Sequence, residues 1–96
     1  MTTRPSKPIQ GPSLDALFNR GFHLVSQLAT AIIQRRATRL LFKDVEGMLE
    51  TLPLATEHYA SARCHLRNAL DYYCDGENGA ALFEVRLITQ GFDQRT

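Results

Sequence analysis

The chain has 96 residues, 44% of them hydrophobic and 22% charged, with a formal net charge of +1 and no Trp. That length makes one domain, able to bury roughly 65% of the surface its unfolded chain exposes, and the composition excludes a wholly disordered chain. Two cysteines exclude a disulfide framework, and the absence of a signal-peptide core or a membrane-length apolar run makes the cytoplasm the expected compartment.

The small net charge conceals an uneven layout. Residues 1–43 carry Arg4, Lys7, Arg20, Arg35, Arg36, Arg39 and Lys43 against Asp15 alone, a net of +6, while residues 44–96 set four arginines against nine acids, a net of −5. A split of this kind marks a polyanion-binding face, or two halves that pack with complementary rims.

Residues 1–12 hold three of the four prolines and read as a flexible tail, leaving 13–93 as a single helical domain. Ser13 is a suitable N-cap, and Asp15 stands in the first turn, where a negative charge suits the helix dipole. Leu14, Leu17, Phe18, Leu24, Val25, Leu28 and Ile32 then recur at helical spacing, with Phe22, Ala29 and Ile33 widening the apolar stripe. Gly21 is a point at which this first helix could kink or split. Arg35, Arg36 and Arg39 follow, where positive charge favours a helix C-terminus.

No Gly or Pro separates "QRRATR" from "LLFKDVEGMLETLP", so the chain is compatible with a continuous helix or with a break near Thr38. Asp44 could cap a short second helix in which Val45, Met48, Leu49 and Leu52 share a side. Pro53 ends that segment and is expected to open the next one.

The third helix, over 54–73, is the clearest: Ala55, Tyr59, Ala62, Leu66, Ala69, Leu70 and Tyr73 keep the helical period. "CDGENG" is turn chemistry. In "AALFEVRLITQGF", Phe83, Val85 and Leu87 alternate with Glu84 and Arg86 as in a strand. Asn78 is a good N-cap, however, and a lone strand has nothing to pair with, so the segment is read as helix. The predicted fold is all-α, a compact antiparallel bundle of three or four helices with a disordered N-terminal tail.

The stretch "HYASARCHLRNALDYYC" concentrates the reactive residue types. Metal ligands on one helix need i,i+3 or i,i+4 spacing, which none of its His and Cys residues provides. His58 and His65 lie seven positions apart, or roughly 10.5 Å. Cys64 and Cys74 would stand about 15 Å apart on the same helix, beyond the ~7 Å at which Cα atoms can be bridged. Glu57, Ser61 and His65 line up with the serine in the middle, the wrong order for a triad. No metal, no cofactor and no catalytic residue is expected.

What remains are surfaces. His58, His65 and Tyr72 form a heptad-spaced stripe beside the core face, and Phe22 and Ile33 leave the first helix apolar on more than one side. These five are the candidate partner-binding residues for a non-enzymatic protein-interaction module or a homodimer. The alternative is a small nucleic-acid-binding regulator. On a continuous helix Arg35 and Arg39 would be i,i+4 neighbours beside Arg36 and Lys43 at i,i+7, two stripes able to address phosphates.

Overall fold

The computed structural model describes residues 13–94. The tail expected at 1–12 lies outside them. Among the described residues are four α-helices and no strand: α1 (Leu14–Ile33), α2 (Arg39–Thr51), α3 (Thr56–Cys74) and α4 (Asn78–Ile88), with a closing 3-10 turn over Thr89–Gln94. The all-α prediction holds, with four helices.

Local chemistry explains each boundary. The Ser13 hydroxyl accepts a hydrogen bond from the Ala16 N–H and starts α1. At the other end the Arg36 N–H donates to the Ala31 carbonyl at 2.7 Å and the Arg35 N–H to the Ile32 carbonyl at 3.0 Å. These are the two bonds of a Schellman stop, whose left-handed position is usually glycine. Here it is Arg35, at φ 59°. Thr38, not Asp44, caps α2, its hydroxyl accepting from the Leu41 N–H. Pro53 disfavours helical backbone at Leu52, which is extended, and α2 ends at Thr51. The proline does not open α3, which begins three positions later at Thr56. At the end of α3 the Schellman bonds recur, from Glu77 N–H to the Tyr72 carbonyl and from Gly76 N–H to the Tyr73 carbonyl, with Gly76 at φ 82°.

The helices pack as α1 on α2, α2 on α3, α3 on α4 and α4 back on α1. Short connections therefore give an up-and-down ring, with α1 and α3 on one diagonal and α2 and α4 on the other. Two bonds tie the connections together at one end. The Ala37 N–H donates to the Tyr73 hydroxyl at 3.1 Å, and Asn78 Nδ2 donates to the Ile32 carbonyl at 3.2 Å. Asn78 thus occupies the first turn of α4, one position past its N-cap Glu77, and its side chain serves the end of α1 instead.

The core is contributed by all four helices: Phe18, Val25, Leu28 and Ile32; Phe42, Val45 and Leu49; Ala62, Leu66 and Ala69; Ala81, Val85 and Ile88. Phe92 closes the other end, edge-on to Phe18 and Phe22 with ring centroids 5.7 and 5.0 Å away. Gly21 neither kinks nor splits α1. It is buried, and a Cβ there would lie 3.0 Å from Met48 Sδ and 3.2 Å from Phe92 Cε2. Its role is close approach.

The α3–α4 pair is the most extensive, and it buries Ala62, Ala69 and Ala81, side chains small enough for two axes to draw together. Between α2 and α3 the contact is sparser. The bulk of Phe42, Tyr59, Leu66 and Leu70 stands there, and a groove remains.

Candidate functional site

The groove between α2 and α3 encloses about 640 Å³. Its floor is apolar: Phe42 and Leu66 are buried, while Tyr59 and Leu70 are half-buried. Four cations stand on its walls, Arg39 and Lys43 from α2 and Arg63 and Arg67 from α3. Each pair is spaced i,i+4, so both members lie on one side of their helix, about one turn apart. All four are exposed. Glu46 is the single carboxylate of the lining, which leaves the walls a net +3.

Glu46 is committed to one partner. Its Oε2 accepts from Arg63 Nη2 at 2.6 Å, across the groove from α2 to α3. The Arg63 guanidinium also sits 5.8 Å from the Tyr59 ring centroid. Hydrogen bonding to Tyr59, then the electrostatics of Tyr59 and Glu46, raise the guanidinium above its ordinary value. Among the described residues Arg39, Lys43 and Arg67 make no ion pair. They stand outside any described ion pair, set beside apolar surface.

The predicted basic cluster is therefore divided. Arg35 and Arg36 lie in the turn between α1 and α2, so the stripes expected of a continuous helix do not form. Arg36 lines a separate, more open hollow with His23, Gln27, Thr30 and Leu41. Arg39 and Lys43 join Arg63 and Arg67, residues that sequence reasoning had not linked to them. An i,i+4 repeat of cations beside an apolar stripe on each of two helices was the available signal. That the stripes face one another is a tertiary fact.

The five candidate partner-binding residues are not brought together. Phe22 packs edge-on against Phe92, and Ile33 is exposed at the end of α1. His58 is half-buried, its Cβ 3.3 Å from the position a Gly91 Cβ would take. Tyr72 is exposed near the end of α3. His65 has a partner of its own: Nδ1 lies 2.8 Å from Glu84 Oε1, which also accepts from Asn68 Nδ2 at 3.3 Å. This bridge from α3 to α4 orients an imidazole, but among the described residues no nucleophile is hydrogen-bonded to its other nitrogen.

Among the described residues, no three His, Cys, Asp or Glu side chains cluster as a metal site would require. Cys64 and Cys74 are both free and exposed. No described helix is long and apolar enough to cross a membrane.

Fold and groove together define a small four-helix protein with a cationic, apolar-floored cleft between two of its helices. Comparison with protein-family models, curated proteins and solved structures finds no match to this chain.

Proposed function

We propose that the chain is a non-enzymatic interaction module that binds a partner protein in the groove between α2 and α3. One observation carries this reading: an apolar floor flanked by four exposed cations, three of them without an ion pair among the described residues. Apolar surface framed by charge is what a specific interface presents, a core that drives association and a polar rim that sets orientation. Exposed large apolar side chains elsewhere are spread over all four helices, at Leu14, Phe22, Ile33, Leu40, Tyr72 and Phe83. Single residues of that kind need no partner. The groove is for that reason the favoured interface, ahead of a dimer through the apolar side of α1.

Cys64 lines the groove and is exposed, so it can carry a photo-crosslinker. A benzophenone at Cys64, in a Cys74→Ser background, should capture a defined protein from native lysate. Unlabelled wild-type protein should compete for the capture, and the same probe at Cys74 should not reproduce it. Absence of any competed protein adduct at Cys64 would remove the reading.

The same walls favour a second one, a small nucleic-acid-binding regulator, because Arg39 and Lys43 are reinforced by Arg63 and Arg67. It requires affinity that falls steeply with salt and a clear loss in Arg39→Glu. It ranks second because a phosphate backbone would leave the half-buried Tyr59 and Leu70 uncovered and would meet Glu46 on the groove wall.

A further inference from the structure

We infer that the occupant of the α2–α3 groove is an acidic amphipathic α-helix, an apolar stripe with Asp or Glu along both flanks. The inference rests on the reading that the groove binds a protein, and it specifies the partner.

Charge complementarity carries the argument. The groove is symmetric in kind: Arg39 and Lys43 on one wall, Arg63 and Arg67 on the other, with Phe42, Leu66 and Leu70 between them. A helix laid along that floor would place apolar side chains downward, at the a and d positions of a heptad. Its e and g positions would then point at the two walls. Cations on both walls select acids on both flanks. A one-sided cationic wall would ask for acids on one flank only.

The dimensions agree. The lining on α3 runs from Thr56 to Leu70, about 21 Å at the helical rise. On α2 it runs only from Arg39 to Glu46, about 10.5 Å, so both walls flank an occupant together over about two turns, room for about two apolar anchors.

The chain's own ends do not match this description. Residues 1–12 contain Arg4 and Lys7 and no acid, so the cationic walls would repel them. Residues 93–96 contain one acid and one arginine, which is not an acidic stripe. A lipid surface is also a poor fit, because the floor is recessed between two helices.

The test uses the full chain and three labelled peptides of about four helical turns. The first has Leu at a and d with Glu at e and g, the second has Lys in place of Glu, and the third scrambles the first. Fluorescence anisotropy at low salt should show the Glu peptide binding at least about tenfold tighter than either of the others. The double variant Lys43→Glu/Arg67→Glu, checked by circular dichroism for retained helix, should weaken that binding about tenfold or more. Arg36→Glu, outside the groove, should leave it unchanged. Equal binding of the Lys peptide, indifference to the double variant, or displacement of the peptide by a single-stranded oligonucleotide or an anionic vesicle would each overturn the inference. Failure here with a competed Cys64 adduct still formed in lysate would remove the acidic helix alone. Loss of the adduct as well would remove the protein-binding reading with it.

Discussion

Arg35 and Gly76 occupy the same position in the same helix stop, and they do so at different cost. Both have positive φ, at 59° and 82°, and both are flanked by the same pair of backbone hydrogen bonds. For a residue with a Cβ that conformation costs roughly 1 kcal/mol more than for glycine. Arg35→Gly should therefore stabilise the protein by about 1 kcal/mol, a gain readable in urea unfolding. Gly76→Ala should lose about as much. No atom lies within 4 Å of the added methyl, so the loss would be one of backbone strain alone. The glycine makes the stop of α3 visible in the sequence. An arginine in that role hides the stop of α1, and for that reason the spacing leaves a continuous helix and a break near Thr38 equally open. Glu84 is hidden for another reason. In the sequence it is one polar residue in an alternating run, and its pairing with His65 and Asn68 spans 19 and 16 positions. Its side chain is only 14% exposed, so Glu84→Ala leaves two polar groups short of a partner and should cost about 1–2 kcal/mol in the same unfolding assay. Glu84→Gln keeps an accepting oxygen and should cost less.

At the scale of the helix, what glycine does depends on what lies beside it. Gly21 and Gly47 both sit inside helices, where replacement by alanine gains up to about 1 kcal/mol of propensity. Gly47 has nothing within 4 Å of its missing Cβ, so Gly47→Ala should realise most of that gain. Gly21 faces Met48 and Phe92 at 3.0 and 3.2 Å. Crowding of that kind costs typically about 1–3 kcal/mol, so Gly21→Ala should destabilise despite its better propensity. Thermal melts of the two variants, expected to move in opposite directions, check both. The elements themselves were largely legible. The apolar spacing of α1 and α3 is recovered by Phe18, Val25, Leu28 and Ile32 and by Ala62, Leu66 and Ala69 in the core. The strand-like alternation of Phe83, Val85 and Leu87 misleads because Phe83 is exposed, and α4 instead buries Ala81, Val85 and Ile88 at helical spacing. Of the grounds for reading it as helix, the lack of a partner strand holds among the described residues, whereas Asn78 is not the cap.

At the scale of the whole molecule, ring closure makes the groove possible, and it also explains why the sequence could not show it. Cations at 39 and 43 and at 63 and 67 belong to separate helical stripes until core packing lays α2 and α3 side by side, where Glu46 meets Arg63. Once aligned, the two walls oppose like charges. Lys43 and Arg67 line the same groove from opposite helices, and Glu46 is the single carboxylate of that lining. If the cations serve a partner, the free protein holds them at some expense of stability. Lys43→Glu converts one repulsion into attraction toward Arg67. Between exposed groups this is worth about 0.5 kcal/mol, or roughly 2–4 °C in melting temperature for a domain of this size. The rise should be present at low salt and should shrink near 1 M, where screening acts over about 3 Å. The same variant should bind the acidic peptide less well. Stability and binding would then move in opposite directions from a single exposed side chain, whereas a lysine that merely keeps the surface soluble would change neither. A Lys43→Glu protein that melts earlier than wild type at low salt would show that the walls do not repel, and the trade-off would fall with that result.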